Sequence, residues 1–238
     1  MRRGLLAGTA LSVALAAAQA QAQTTIAPDV GARGLGTTAA TAGNVTTIGG
    51  GTLASGNLFQ SFSTFSLGAG DVARWTLSSG DPTAVHNVVN RVTGGQPSRI
   101  SGTIDSTGLP NAAFFFLNPA GIVFGAGAQV NVPAAAYFST ASELRFADGT
   151  RFAMATPGGS TLSVAAPESF GFVGGEGSVA LNGVTASFAN PGSALSVSGA
   201  NLNVTGSTFS LRSLDLAAVG AGPGDLPLAN PLSAALGG

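Results

Sequence analysis

Ten pairs of apolar residues at positions i and i+2 run through the second half of the chain, and they constrain its fold more than any other feature. They are Val130/Val132, Leu144/Phe146, Phe152/Met154, Leu162/Val164, Phe170/Phe172, Val179/Leu181, Leu195/Val197, Leu202/Val204, Phe209/Leu211 and Leu214/Leu216. A period of two places both members of a pair on one side of a strand. The first members span 84 residues in nine steps, about nine residues each, with Gly, Asn, Ser or Pro in most of the gaps. That spacing leaves room for many short strands and little else. The 36 Gly and 12 Pro among 238 residues further disfavour long helices.

Two architectures give such a pattern: a β-sandwich built from hairpins, and a parallel β-helix whose coils of ~20 to 30 residues each contribute about three strands. Strand-sized runs flanking a tight turn are scarce, with Asp148-Gly149 and Asn182-Gly183 the only examples, which counts against hairpins. Inward Phe, Leu and Val stacking between coils would favour the solenoid, but the pattern alone leaves both open.

Upstream, residues 24–56 read as short, weak strands and turns. Phe59, Phe62 and Phe65 have a spacing of three that would suit a helix, yet Ser61, Ser63, Thr64 and Ser66 between them are poor helix residues, so an extended chain is expected. Ala73, Trp75 and Leu77 alternate with Val72, Arg74 and Thr76 as a half-buried strand. The run Ala112 to Leu117, with three successive Phe, is expected as a strand buried on both faces; the alternative is a sticky edge for strand addition by a partner.

Charge excludes several functions. Only 8% of residues are charged, and all nine basic residues are Arg. With Arg2 and Arg3 set aside, seven Arg face ten acids, too few for the basic face that nucleic acid requires. The chain has no Cys, and His86 is its sole histidine, so disulfides, thiolate metal sites and His-based zinc sites are excluded, and no cofactor site is readable. Met1-Arg2-Arg3, an apolar run of 15 residues from Gly4 to Ala18, and Ala20-Gln21-Ala22 form the three regions of a secretory signal peptide. Cleavage between Ala22 and Gln23 is expected, dividing the chain into a signal peptide at 1–22, a β-rich domain at 23–219 and a Gly/Ala/Pro-rich tail at 220–238.

Several spaced motifs carry a resemblance. Asn57-Leu58-Phe59-Gln60-Ser61-Phe62, Asn90-Arg91-Val92-Thr93-Gly94-Gly95, Ser98-Arg99-Ile100-Ser101-Gly102-Thr103-Ile104, Phe116-Leu117-Asn118-Pro119-Ala120-Gly121-Ile122-Val123-Phe124-Gly125 and Ala128-Gln129-Val130-Asn131-Val132 occur in this order. Together with Ser139-Thr140-Ala141 and Phe146-Ala147-Asp148-Gly149, the series resembles the N-terminal two-partner secretion domain of filamentous haemagglutinin-like exoproteins over roughly residues 24–215. The resemblance implies an all-β, right-handed parallel β-helix recognised in the periplasm by an outer-membrane transporter of the Omp85-like class. It further implies an adhesin-like exoprotein at the cell surface, with a host-cell or surface glycan as ligand. One departure stands out: the family's Asn-Pro-Asn-Gly-Ile is Asn118-Pro119-Ala120-Gly121-Ile122 here. Because family members continue through long repeats, residues 220–238 are expected as a linker or a truncated continuation.

The candidate recognition residues are therefore Asn118, Pro119, Ala120, Gly121 and Ile122, with Asn57, Leu58, Phe59, Phe62, Asn90 and Arg91 as recognition or core positions. Asn118 to Gly121 suits a type I turn, and loss of the Asn118 side chain is expected to cost about 1 kcal/mol, by analogy with a helix cap. Two other functional classes stand beside this one. A polysaccharide lyase-like β-helix enzyme would need acids such as Asp71, Asp81 and Asp105 to converge near Arg74 or Arg99, while His86 reads as a surface residue. An outer-membrane β-barrel needs strands of ~9 to 11 residues and aromatic girdles, which one Trp and one Tyr do not supply.

Overall fold

The computed structural model describes residues 23–154, 160–187 and 194–228. The expected signal peptide, Ala22 included, lies outside the described residues; Gln23 lies within them and is exposed. Along the chain the strands are β1 (Thr25–Pro28), β2 (Thr37–Ala42), β3 (Val45–Gly50), β4 (Thr52–Ala54), β5 (Asn57–Ser66), β6 (Val72–Trp75), β7 (Asn87–Val92), β8 (Ser98–Ile100), β9 (Thr103–Asp105), β10 (Ala113–Leu117), β11 (Ile122–Phe124) and β12 (Gln129–Asn131). They continue as β13 (Ala136–Ser139), β14 (Glu143–Phe146), β15 (Arg151–Ala153), β16 (Pro167–Phe172), β17 (Val179–Asn182), β18 (Thr185–Ser187), β19 (Ala194–Gly199), β20 (Leu202–Thr205), β21 (Thr208–Ser210), β22 (Ser213–Ala218) and β23 (Gly224–Pro227).

Most of these strands wind into a parallel β-helix, in which each coil visits three sheets in turn. The first face stacks β3, β6, β9 and β12, and the second runs β5-β7-β10-β13-β19-β22. The third runs β8-β11-β17-β20, and all these ladders are parallel. Register fixes the coil lengths: Asn57 lies opposite Asn87, Ala113 opposite the same Asn87, and Phe114 opposite Ala136. Coils of this size close because the strand backbones hydrogen-bond to the next turn instead of to a hairpin partner.

The N-terminal end is closed by antiparallel strands. β4 covers Asn57 to Phe59 of β5, β1 covers Phe62 to Ser66, and β2 covers β3. The β1–β5 ladder slips between Ala27 and Pro28, so Ser63 is skipped. That extra residue explains the odd spacing of Phe62 and Phe65, which both face inward although they are three apart.

The interior is aromatic. Phe65 stacks on Trp75 with centroids 5.9 Å apart, Trp75 meets Phe114 edge-on at 4.8 Å, and Phe138 receives the edge of Phe124 at 4.9 Å. Such pairs contribute about 0.5–1.5 kcal/mol each beyond area burial. Within this interior the Trp75 indole N–H donates to Asn90 Oδ1 at 2.8 Å, and Asn90 Nδ2 donates to the Phe115 carbonyl at 2.9 Å.

Three of the ten apolar pairs do something else. Leu144/Phe146, Phe152/Met154 and Phe170/Phe172 belong to an antiparallel sheet, β15-β14-β16-β23, laid over the outside of the second face. The chain leaves the helix after β13, builds three strands of this outer sheet and re-enters at β17. Coil four is therefore long, with Ala136 opposite Leu195. A second apolar core fills the space between, from Phe59, Val89, Phe115 and Leu117 below and Leu144, Phe146, Phe152 and Phe170 above.

Several expectations change accordingly. Asp148-Gly149 does turn a hairpin, β14–β15, but Asn182-Gly183 is a corner between β17 and β18, which pair with different strands. Hairpins without an Asn-Gly or Asp-Gly signal join β2 to β3 and β4 to β5, because Gly43 and Ser55 supply the positive φ, +60° and +54°. Leu162/Val164 is not a strand, and Val164 is 69% exposed. The tail expected from Gly220 returns to the fold as β23, where β16 supplies the backbone partners and Leu226 is buried. The Phe run lies on β10 between β7 and β13, so it is buried on both faces and offers no free edge. A closed antiparallel barrel is likewise ruled out.

One side chain joins the layers. Arg91 is 1% exposed, with Nε donating to Ser61 Oγ at 2.7 Å, Nη1 to the Ala153 carbonyl and to Ser160 Oγ at 3.0 Å, and Nη2 to the Arg33 carbonyl at 3.1 Å. Its guanidinium also lies 4.5 Å from the Phe152 ring centre. Burial pushes its pKa down to about 10, against the opposing field of Asp29, so a charge is held in the second core by a fork that reaches three parts of the chain. Arg91→Ala should lower stability by about 2–4 kcal/mol, since the Arg33 carbonyl loses its donor, the Ala153 carbonyl keeps only Ser160 Oγ, and a cavity opens. Arg91→Lys should recover only part of this, as one ammonium cannot span the same acceptors. Urea titrations followed by the fluorescence of Trp75, the single and fully buried Trp, measure both effects.

Candidate recognition site around the Asn118 turn

Residues 118–121 connect β10 to β11 at a corner of coil three. The Gly121 N–H donates to the Asn118 carbonyl at 3.0 Å, closing the four-residue turn, and the Ala120 N–H donates to Asn118 Oδ1 at 3.0 Å. Gly121 has φ +123°, a conformation that disfavours any side chain. Asn118 Nδ2 reaches back to the preceding coil, donating to the Gln96 carbonyl and Ser98 Oγ, both at 2.9 Å. The next coil is joined through the Pro119 carbonyl, which accepts from Gly177 N–H at 2.7 Å. Ile122 is fully buried in the helix interior.

Asn118 is therefore both the acceptor within the turn that the sequence suggests and, fully buried, a staple to the preceding coil. The face this corner presents outward is made by Pro119 and Ala120, both half-buried. Beside them lies a cleft of about 120 Å³ lined by Val92, Thr93, Pro119, Ala120 and Met154. Ala120, the position that departs from the family motif, thus lines a largely apolar recess.

Besides Asn90, a further motif asparagine used as a staple is Asn57. Its Nδ2 donates to the Ser163 and Ala165 carbonyls at 2.9 and 2.7 Å, and its Oδ1 accepts from Asn87 Nδ2 at 2.8 Å. Leu58 and Phe62 point into the helix and Phe59 into the second core, where it packs 4.9 Å from Phe152. Asn90 and Arg91 likewise face opposite sides of β7. These six residues are thus brought into two cores, and none of them forms a shared surface with the Asn118 turn. Gly94 and Gly102 in the neighbouring motifs are sites of close approach: a Cβ would meet the Ser63 carbonyl at 2.0 Å and the Asp71 carbonyl at 2.3 Å.

Sequence reasoning missed a polar chain beneath this corner. Asp29 accepts from Ser61 Oγ at 2.7 Å and from Thr93 Oγ1 at 2.9 Å, and so connects the N-terminal cap to the strand that carries Arg91. In a chain with so few charges, a buried Asp at the end of a short strand was the available signal.

The acids proposed for chemistry are separately engaged. Asp71 accepts from Thr24 Oγ1, Asp105 pairs with Arg74 at 3.0 Å, and Asp81 caps the 3-10 turn Pro82–Ala84. Among the described residues, no group of three or more His, Asp or Glu could hold a metal ion. His86 is exposed. A recurrent Asp-x-Thr turn, at Asp81, Asp105 and Asp148, has the Thr N–H and hydroxyl both donating to one carboxylate oxygen. Hydrogen bonds from the Thr83 hydroxyl and N–H hold Asp81 below the ordinary carboxylate range, and those from Ser163 and Thr150 do the same for Asp148. Burial works to raise Asp105 and Glu176, but Thr107 with Arg74, and Ser142 with the Val173 and Gly174 N–H groups, outweigh it and lower both.

Comparisons with known proteins follow this geometry. The family model described as the TPS secretion domain matches residues 22–230. Among solved structures, the HMW1 secretion domain from Haemophilus influenzae aligns at 18% identity over 81% of this chain and 44% of its own, with a TM-score of 0.46. The chain thus spans less than half the length of that protein. No curated protein gives a significant match.

Two outcomes are expected of the corner and its acids. Asn118→Ala should cost about 2–3 kcal/mol, above the cap analogy, because it removes three hydrogen bonds, two of them to the preceding coil and one of those to the buried Ser98, and opens a cavity. Ala120→Asn should leave the melting temperature within a few degrees; differential scanning calorimetry compares the two. Carboxylates with lowered pKa stabilise the fold above their unfolded values, and that contribution disappears as pH falls through the folded ones. Melting temperatures should hold from pH 7 to about 5 and fall steeply below about pH 4.

Proposed function

We propose, from the premise that this chain belongs to the TPS secretion domain family, that it directs an adhesin-like exoprotein through the outer membrane. In this reading a signal peptide takes the chain into the periplasm, and an Omp85-like partner transporter binds it there. The first coils to fold outside then act as a template for chain that follows.

The observation that carries this reading is the difference between the two ends of the helix. The N-terminal coil is closed by β1, β2 and β4, which bond its edge strands antiparallel. The last described coil, β20 to β22, has no such cover among the described residues. Leu202, Phe209, Leu211, Leu214 and Leu216 are only partly buried, and Val204 is 41% exposed. A capped start and an apolar finish favour growth in one direction, because each coil buries its apolar side only against a completed neighbour. Pro119, Ala120 and the adjoining recess are the surface offered to the transporter.

Fused to a reporter passenger and co-expressed with the transporter encoded nearest to it, the chain should export the passenger only when the transporter is present. Equal export in its absence would overturn the reading. Ala120→Leu, which fills the recess, should reduce export at least several-fold while the melting temperature stays within a few degrees.

A further inference from the structure

A second cleft, of about 410 Å³, opens between the outer side of the second face and the β14–β16 layer, and shares no lining residue with the recess at the Asn118 corner. Its volume falls within the range of small-ligand sites. Phe115 and Tyr137 line it from successive coils, with rings parallel to within 7° and centroids 4.4 Å apart. The aromatic stack ends there, because the next residues in the same row are Ser196 and then Asp215.

The cleft holds two free acceptors beside the Tyr137 hydroxyl, which can both donate and accept. Asn87 spends an amide hydrogen on Asn57 Oδ1, and its own Oδ1 accepts no hydrogen bond among the described residues. Glu168 stands exposed on the wall, and its carboxylate has no ion pair among the described residues; only its main-chain carbonyl is used, by Leu228 N–H. Asp215, at the end of the row, is also unpaired among the described residues. Its charge, after burial, keeps the Tyr137 phenol protonated to higher pH than usual.

The half-buried Tyr137 ring, a free carboxylate and a free amide oxygen together suit a planar, positively charged hydrogen-bond donor, while Phe115, 2% exposed, only backs the tyrosine. A guanidinium has these properties: it stacks on rings, forks onto carboxylates and has no acceptor. A neutral saccharide would leave the Glu168 charge unpaired, and an ammonium, a point charge, cannot lie flat on the ring while forking onto a carboxylate. We propose that this cleft docks an arginine side chain presented by an extended segment of a partner protein. The site does not depend on the secretion reading.

The test uses the purified protein and three capped tripeptides, Gly-Arg-Gly, Gly-Lys-Gly and Gly-citrulline-Gly, titrated by NMR, with maltotriose as a neutral saccharide. The arginine peptide should shift resonances of Phe115, Tyr137 and Glu168 at millimolar concentrations. Its affinity should weaken with salt, and citrulline, the uncharged isostere, should bind roughly tenfold less tightly. Glu168→Gln, at an exposed position, should weaken the arginine peptide roughly fivefold with the fold intact. Tyr137→Leu should abolish the difference between arginine and lysine. Equal binding of arginine and citrulline, indifference to Glu168→Gln, preference for maltotriose, or no binding at all would each overturn the proposal.

Discussion

Burial of one sheet on both faces is the condition on which the rest of this molecule depends. A solenoid face ordinarily has an apolar side and a wet side. Here β5, β7 and β10 carry apolar residues outward as well as inward: Phe114 and Phe116 fill the helix, while Phe115 and Leu117 fill the layer above it. Left bare, that outer side would be a broad sticky surface. The outer sheet, β15-β14-β16-β23, is the response, and the long fourth coil, the Arg91 fork and the Asn57 amide all serve to hold it down. The scarcity of charge follows from the same condition, since a chain with two cores has few positions left where an ion can stay hydrated.

Much of this was legible in the residues, and the failures share a cause. Period two identified strands correctly at Val130, Val179, Leu195 and Phe209, but the same signal at Leu144, Phe152 and Phe170 marks antiparallel strands outside the helix. Alternation reports that one side of a strand is apolar; it says nothing of which neighbour covers that side. The choice between sandwich and solenoid was undecidable on pattern because the molecule contains a layer of each kind. The triple Phe was more informative, as a continuous apolar run suits a strand covered on both faces, and β10 is one.

The motif residues were legible, but the partners of Asn118 and Asn57 were not. Both are swallowed by contacts 20 or more residues away in sequence, to Ser98 in one case and to Ser163 in the other. Their neighbours Gly94 and Gly102 are small because another backbone passes within bonding range, again a long-range fact. The acids illustrate the converse: Asp-x-Thr is a local device, spelled out as Asp81-Pro82-Thr83, Asp105-Ser106-Thr107 and Asp148-Gly149-Thr150, whose partners all lie within two residues.

The outer sheet is stitched from chain segments that arrive at very different times. Three of its strands precede the fifth coil, whereas β23 joins only after the sixth, with Asp225 laid beside Gly171. In a polypeptide that enters a compartment from its N-terminus, β16 must therefore wait with an unbonded edge while two further turns are wound. Contacts of such long sequence separation form slowly. The closing of β16 by β23 thus makes the layer a clock: it stays unfinished until residue 227 has emerged, whichever coil folded first.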